Sequence, residues 1–529
     1  MKKEIFIIAL SGLLFILPVL FLTRDLSFRL DTDYDMALPV LHFLVDFMRT
    51  NFSLPSWNPY IGTGIPVIGD PQSLVFYPFI IIPLFIFGAD FGLRFAIIIS
   101  ILFSGISMWV LLSKLRTNRW TRIWGAIVYQ LSGPLIAAIS AGHVGKILSF
   151  PFFPLFLALV IDKKIKKINI VLSAVILTLI FFIGDFYALW FLVLIYVSIK
   201  TFYLIKEKKQ LRQVITQTFF IFLLFFIFSS VKLISFLKDM NPSMERFFPV
   251  NHYAGSIHFF LSPLAFIMPL QVEFYDRPFF QRFLGFHFNW YEYYAFITPL
   301  PFIFLLKIKN VLKNEHVKFL IFYIILGVLY VSMKYYYSPF HWLYEFLTPI
   351  QSFRVPQRIF TPMTGILIAL LAVCASYWLD KTKVKKEKIV ICGIFLISIV
   401  WLFFIGQQTI YKTFEKPRTD EESIVRELRK KDKGNFYVAS FTCCMQTFLI
   451  KEKIPVLNFY YGWRAKDLPN FINEKGNGYN YEKLKNIRPS YIITEKELDF
   501  KKYSYFKFIE NSKIRIWKTD RPNIFPKRL

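Results

Sequence analysis

The chain alternates between long apolar runs and short basic stretches over most of its length. Ile5–Leu22, Phe95–Leu112, Phe219–Val231 and Ile389–Ile405 are clear apolar runs. A helix of about 20 residues crosses the hydrocarbon core of a bilayer, so runs of this kind predict membrane helices. Leu74–Phe87 and Phe259–Leu270 are apolar but short, and are expected to form re-entrant or interfacial helices. After Gln407 the texture changes and charges become frequent. Glu421–Lys430 has a helical pattern, while Asn435–Ser440 and Ser490–Thr494 have the pattern of strands. Tyr505–Ile509 and Lys513–Lys518 predict a hairpin turning at Glu510-Asn511-Ser512. The expected fold is an all-α polytopic membrane domain over residues 1–406, with a small extracytoplasmic α/β domain over 407–529. Neither internal repeats nor a Gly/Ser linker interrupt this division.

Charge sets the expected orientation. Lys2 and Lys3 precede the first apolar run. Basic clusters then recur at Lys114–Arg122, Lys163–Lys167, Lys206–Arg212, Lys307–Lys318 and Lys381–Lys388. Cytoplasmic loops carry such an excess of Lys and Arg. The intervening loops are acidic and aromatic and are expected to face outward. The alternation predicts about eleven spans, an inner N-terminus and an outer C-terminus. Phe21, Leu22 and Arg24 stand where a signal peptidase would need small residues, so the first span is expected to stay uncleaved.

The net charge of +28 does not point to nucleic acid, because the basic residues sit in short loops between apolar runs. Membrane lipids, above all anionic ones, are the expected partners. Only 19% of residues are charged, below the roughly 25% of a soluble protein. Cys374 and Cys392 fall in apolar runs and are expected to pack there, while adjacent Cys443 and Cys444 are poorly placed to bridge each other. The spacings hold no Cys/His metal motif, and no cofactor or metal is expected.

Four segments carry candidate chemistry. The first, from Arg29 to Asp35, gathers Asp31, Asp33 and Asp35 after the first span; a helix from Asp35 places His42 and Asp46 near the same face. Such carboxylates suit a general base, while spacing alone favours the ordinary alternative, a solvated loop with a helix N-cap. The second is Trp57-Asn58-Pro59-Tyr60, then Gly64, Pro66, Asp70, Gln72 and Tyr77-Pro78. Its Gly and Pro density predicts a rigid loop, either a wall for substrate or a structural cap. The third, Gly142 to Lys146, offers His143 and Lys146 to a departing phosphate, or as helix-end structural residues. The fourth, Phe353 to Arg358, places Arg354 and Arg358 around a proline, where they can converge on a phosphate or diphosphate or snorkel to lipid headgroups.

In this order the segments resemble the YfhO-like bacterial membrane proteins of the GT-C superfamily of polyprenyl-phosphate-dependent glycosyltransferases. Those proteins carry a first-loop aspartate, a "WNPY…G.P…D.Q…YP" stretch and an "fR.P.R" signature. Here these are Asp33; Trp57 to Tyr60 with Gly64, Pro66, Asp70, Gln72 and Tyr77-Pro78; and Phe353, Arg354, Pro356 and Arg358. The tail is similar too, at Tyr491–Thr494 and Ile514–Trp517. Two positions depart from the pattern: Asp35-Met36 stand where a glutamine is frequent, and Thr298 where glycine is expected.

The resemblance implies sugar transfer from a polyprenyl-phosphate-linked donor to an envelope glycan or lipid acceptor, on the outer face of a bacterial cytoplasmic membrane. It implies Asp33 as general base, with Asp31 second. Arg354 and Arg358, helped by His143 and Lys146, would meet the donor phosphate. Asp35, Trp57, Asn58, Tyr60, Asp70, Gln72 and Tyr77 would wall the substrate. The other functional classes are a flippase or transporter for lipid-linked sugars, which calls for repeats and mid-span charges, and a non-catalytic membrane scaffold.

Overall fold

A computed structural model describes residues 2–22, 32–61, 64–162, 165–206, 211–242, 265–267, 292, 294–333, 341–342, 355–411, 419–433, 438–440, 445–456, 463–465, 491–494, 506–508 and 515–519. Its helices, numbered along the chain, begin with α1 (Lys2–Leu22), α2 (Tyr34–Asn51), α3 (Pro78–Phe87), α4 (Ala89–Lys114), α5 (Arg119–Gln130) and α6 (Gly133–Ala141). Next come α7 (Val144–Ser149), α8 (Phe152–Val160), α9 (Lys167–Ile183), α10 (Phe186–Lys206) and α11 (Leu211–Asp239). After them follow α12 (Glu315–Ser332), α13 (Phe360–Lys381), α14 (Lys385–Tyr411), α15 (Thr419–Lys431) and α16 (Met445–Lys451). The strands are β1 (Trp57–Asn58), β2 (Ile65–Pro66), β3 (Met240–Pro242), β4 (Val438–Ser440), β5 (Trp463–Ala465), β6 (Tyr491–Thr494), β7 (Phe506–Phe508) and β8 (Arg515–Thr519).

Seven helices among the described residues are long and apolar enough to cross a bilayer: Ala89–Lys114, Arg119–Ala141, Phe186–Lys206, Leu211–Asp239, Glu315–Ser332, Gln357–Lys381 and Lys385–Ile410. Pro78–Phe87, Val144–Val160 and Lys167–Ile183 are shorter apolar helices. The expected short helix in Leu74–Phe87 is α3, opened by Pro78, whose missing N–H costs nothing in a first turn. The run Phe259–Leu270 lies outside the described residues apart from 265–267.

The chain forms two compact bodies. The first comprises Met1–Asp25, Arg94–Ser229 and Phe247–Phe414. Its centre is α13, buried at every residue from Phe360 to Ser376 and packed against α5 and α12. Trp124 of α5 stacks on Phe395 of α14 at 4.9 Å and donates to Ser398 Oγ at 2.9 Å. A buried indole N–H needs such a partner, and here the serine supplies it within an otherwise apolar core. On α11, by contrast, Phe219, Phe220, Phe226, Ile227 and Phe228 are exposed. A helix can carry this apolar surface in lipid because all its backbone groups are satisfied internally. Cys374 is buried, but Cys392 is exposed on α14. The expectation that Cys392 packs inside the protein is therefore corrected: the apolar run around it turns that position outward.

The basic clusters of the first body lie together. The Glu4 carboxylate accepts a hydrogen bond from Trp109 Nε1 at 2.7 Å and stands 3.7 Å from Arg119 and 3.9 Å from Arg122. Lys114 pairs with Asp162 at 2.5 Å, and Glu315 pairs with both Lys206 and Lys318. Asn118 donates to Asp380 at 3.1 Å, and Lys307 lies 4.6 Å from the Trp378 ring centre. Partly exposed pairs of this kind contribute only about 0–1 kcal/mol each. Their importance is positional: they collect the ends of α4, α8, α10 and α13 with the starts of α1, α5 and α12.

The second body comprises Leu26–Leu93, Ser230–Arg246 and Glu415–Leu529. Here α2 packs on α3 and α16. Asp46 pairs with Lys453 at 2.9 Å, and Val456 donates its N–H to the Tyr60 carbonyl at 2.9 Å. β3 pairs antiparallel with β5. The sheet order is β4-β6-β8-β7, with β4–β6 parallel and the remaining pairs antiparallel. The predicted tail helix is α15, and β7 and β8 are the paired strands of the expected hairpin; its turn lies outside the described residues.

Candidate functional site

In the first body, three chain reversals bring polar side chains to one place. α6 ends on Gly142 in the left-handed region (φ 77°), which lets the chain turn at once into α7, with His143 at its N-cap and Lys146 one turn later. α9 ends on Gly184 (φ 78°), and Asp185 then opens α10. Asp185 Oδ1 accepts the Ala188 N–H at 3.0 Å, an N-cap contact, while Oδ2 accepts from Ser149 Oγ at 2.6 Å. The third reversal is the 3₁₀ turn Pro356–Ile359, which leads into α13 and carries Arg358.

Arg358 grips Glu292 with two teeth: Nε donates to Oε2 at 2.8 Å and Nη2 donates to Oε1. The guanidinium carbon lies 4.5 Å from the centre of the Tyr187 ring, and the Tyr187 hydroxyl accepts the Val355 N–H at 3.0 Å. Arg358 is thus held on two sides, which removes most of the rotamer freedom a long side chain would otherwise lose on meeting a ligand. Burial alone would push the Glu292 carboxyl up, but the Arg358 guanidinium outweighs it. With His143 and Lys146 adding to the effect, Glu292 is held down at about 2. Lys146 is half-buried and feels Glu292, Arg358 and Asp185 together.

The distance from the basic loops follows from helix length. Tyr187 opens α10 and Tyr203, near its other end, donates to the Ile161 carbonyl at 3.0 Å beside Asp162. Likewise Arg358 precedes α13 and Asp380 closes it. Helices of 21 and 22 residues separate the two regions by roughly 30 Å, at about 1.5 Å of rise per residue.

The structure therefore brings together His143, Lys146 and Arg358, three of the four residues expected at a phosphate. Arg354 lies outside the described residues. Glu292, Asp185 and Tyr187 join them without having been singled out. Asp185 had a usable signal, since it is the lone charged residue between Ile168 and Ile199. A charge inside an apolar run marks a functional or tightly partnered position.

The other expected residues belong to the second body. Asp31 lies outside the described residues. Asp33 is half-buried at the N-cap of α2; its carbonyl accepts from Met36 and Ala37, but its side chain makes no cap hydrogen bond. The capping alternative is thus met by the position of Asp33, not by its carboxylate. Asp35 is buried in the first turn. His42 lies 3.5 Å from Asp90, and burial lowers its imidazole from the ordinary range, with Asp90 opposing. His42 and Asp46 therefore have partners on other elements, Asp90 and Lys453.

The proline- and glycine-rich stretch folds as two linked turns. β1 pairs with β2, Trp57 opposite Pro66 and Asn58 opposite Ile65. Buried Asn58 accepts the Tyr60 N–H through its side chain at 3.0 Å, and Tyr60 meets Phe43 edge-on. Gly64 has φ 103°, and a Cβ there would stand 2.3 Å from the half-buried Trp57 indole, so only glycine fits. Buried Asp70 accepts the Gln72 N–H at 2.9 Å, and Lys232 of α11 donates to the adjacent Pro71 carbonyl at 3.0 Å. Gln72 is exposed, and Tyr77 is buried at the start of α3. Asn58 and Asp70 hold turns together, while Gln72 presents its side chain outward. Among the described residues, no group of three or more His, Cys, Asp or Glu side chains is placed to hold a metal ion.

This helical arrangement defines the class of fold: it is the polytopic GT-C membrane fold. The chain is similar over 96% of its length to 97% of ArnT from Cupriavidus metallidurans bound to undecaprenyl phosphate, with a TM-score of 0.55 at 10% identity. The apo state of the same protein gives a TM-score of 0.53 at 9% identity, with the same coverage of both chains. Arabinofuranosyltransferase AftD from Mycobacteria matches 98% of this chain and 41% of its own, with a TM-score of 0.51 at 12% identity. No family model matches the chain, and no curated protein matches it by sequence.

Proposed function

We propose that the protein is a YfhO-like GT-C glycosyltransferase that moves a sugar from a polyprenyl-phosphate carrier to an envelope glycan or lipid acceptor. The observation that carries this is the meeting of Arg358, Lys146 and His143 at one end of a GT-C helical body, on side chains already held by Glu292, Tyr187 and Asp185. ArnT, which shares the fold, was solved with undecaprenyl phosphate, and a lipid of that class is the proposed carrier here.

In the reaction the bond from the anomeric carbon to the carrier phosphate breaks, and one to the acceptor oxygen forms. Asp33, or Asp31 beside it, takes the acceptor proton. The leaving phosphate gains charge as the bond breaks. The N–H groups of Arg358 not engaged by Glu292, with Lys146, His143 and Arg354, stabilise it. The loop from Trp57 to Tyr77 walls the substrate, and residues 407–529 lie outside the cytoplasm.

The decisive experiment gives purified protein in proteoliposomes a polyprenyl-phosphate sugar labelled in the sugar. Release of free polyprenyl phosphate is expected, and Arg358→Lys should lose it strongly, since lysine keeps the charge but cannot hold two acceptors in one plane. Passage of intact donor across the bilayer without cleavage would instead establish the flippase reading.

Orientation has its own check. In a background lacking the 4 native cysteines, cysteine at exposed Ser53 should label with an impermeant thiol reagent in intact cells, and cysteine at exposed Lys383 should not. The opposite pattern would place the proposed chemistry in the cytoplasm.

A further inference from the structure

The opposite end of the first body holds a cavity that sugar transfer does not use. It encloses about 860 Å³ and is lined by Lys114, Arg116, Asp162, Lys313, His316 and Asp380, among others. Three cations thus face two carboxylates. Lys114 is already neutralised by Asp162 at 2.5 Å, whereas Asp380 accepts from the neutral Asn118 amide and keeps its charge. Arg116 and Lys313 are exposed at the rim, and neither has an ion-pair partner among the described residues. On the wall, Asn314 caps α12 by accepting the His316 N–H at 2.9 Å, which fixes the backbone of His316. The His316 ring is part of the wall, with its Nδ1 closed to solvent and without a hydrogen-bond partner.

We propose that this cavity binds a phosphate-bearing anion, with Arg116 and Lys313 at the rim meeting its charge. The lining sets these charged and polar groups beside Leu115, Val311 and Val373, and its exposed cations favour a headgroup or a free anion. Basic pockets among membrane helices take lipid headgroups in this way. The site does not rest on the proposed transfer reaction, since α10 and α13 hold the two regions apart.

The test uses the full chain purified in detergent, with phosphatidylglycerol and inorganic phosphate as probes. Lipid retention is read by native mass spectrometry and binding by thermal shift. The double variant Arg116→Gln/Lys313→Gln should bind roughly thirtyfold more weakly, from about 1 kcal/mol for each basic residue near an anionic surface. Lys385→Gln/Lys386→Gln, on exposed lysines outside the cavity lining, should bind as the wild type. Saturation by the lipid but not by millimolar phosphate identifies a headgroup ligand; equal competition by phosphate identifies the free anion. The proposal falls if the cavity variant binds both probes as the wild type does, or if the control variant loses as much.

Discussion

Replacing Glu292 by glutamine is expected to destabilise the protein by roughly 3–5 kcal/mol, because it leaves a guanidinium enclosed without its counter-charge. Both partners are removed from water: the Glu292 side chain is 5% exposed and that of Arg358 23%. The pair as a whole need not be strongly stabilising, since both groups lose hydration to form it. Removing both charges in Glu292→Gln/Arg358→Gln should therefore recover most of the loss. Thermal unfolding in detergent of the two single variants and the double completes the cycle. If the double variant loses as much as the two singles together, the groups do not interact and the pair is misassigned. The acid limb gives a second measure. The carboxyl is held at about 2 against an ordinary 4.5. A depressed carboxyl contributes stability that is present above the unfolded value and lost as pH falls through the folded one. Wild-type protein should thus lose on the order of 3 kcal/mol between about pH 4.5 and pH 2, and the double variant should not. The recovered double variant should still fail in transfer, which separates the structural duty of the pair from the proposed role of Arg358 at the phosphate.

Local pattern was enough to find the helices and the charge alternation. The runs Phe95–Leu112 and Ile389–Ile405 sit inside α4 and α14, because a helix in lipid satisfies its own backbone and needs only apolar side chains. The Lys and Arg clusters were equally legible, since exclusion from hydrocarbon acts on each charge by itself. What stayed hidden depends on pairs distant in sequence. Arg358 and Glu292 are 66 positions apart, and nothing near either residue announces the other. The same holds for Asp46 with Lys453 and Tyr60 with Val456, which join the segment after α1 to the tail. A division at Gln407 by composition marks where charges become frequent. It does not reveal that residues of the first loop and the tail belong to one compact body. The third kind of miss concerns purpose. Asn58 and Asp70 look in sequence like polar groups offered to a substrate, yet each accepts a backbone N–H of its own turn. Short polar side chains in turns do this readily, and spacing alone cannot tell the two uses apart.

Asp33→Asn is expected to lower sugar transfer by roughly 10²- to 10⁴-fold, the usual cost of losing one general base, while leaving the fold nearly unchanged. Two features make this substitution clean. Asparagine has nearly the volume of aspartate and is as good a residue at a helix N-cap. The Asp33 carboxylate also makes no cap hydrogen bond to lose, for the first turn of α2 is closed by backbone bonds to its carbonyl. At this half-buried position the near-isosteric change should shift stability by no more than about 1 kcal/mol, the centre of the range for point substitutions. Donor binding should persist, since the proposed base acts on the acceptor and the residues proposed for the carrier phosphate are unchanged. The informative comparison is with Asp31→Asn and Asp35→Asn. Asp35 is buried in the first turn of α2, so its loss should appear first as lowered thermal stability. If Asp33→Asn transfers at the wild-type rate while Asp31→Asn does not, the base lies two residues upstream. If both variants transfer normally with intact folds, proton removal does not involve the first loop, and the base must be sought among the carboxylates of the first body, with Asp185 first because it lies beside Lys146 and Arg358.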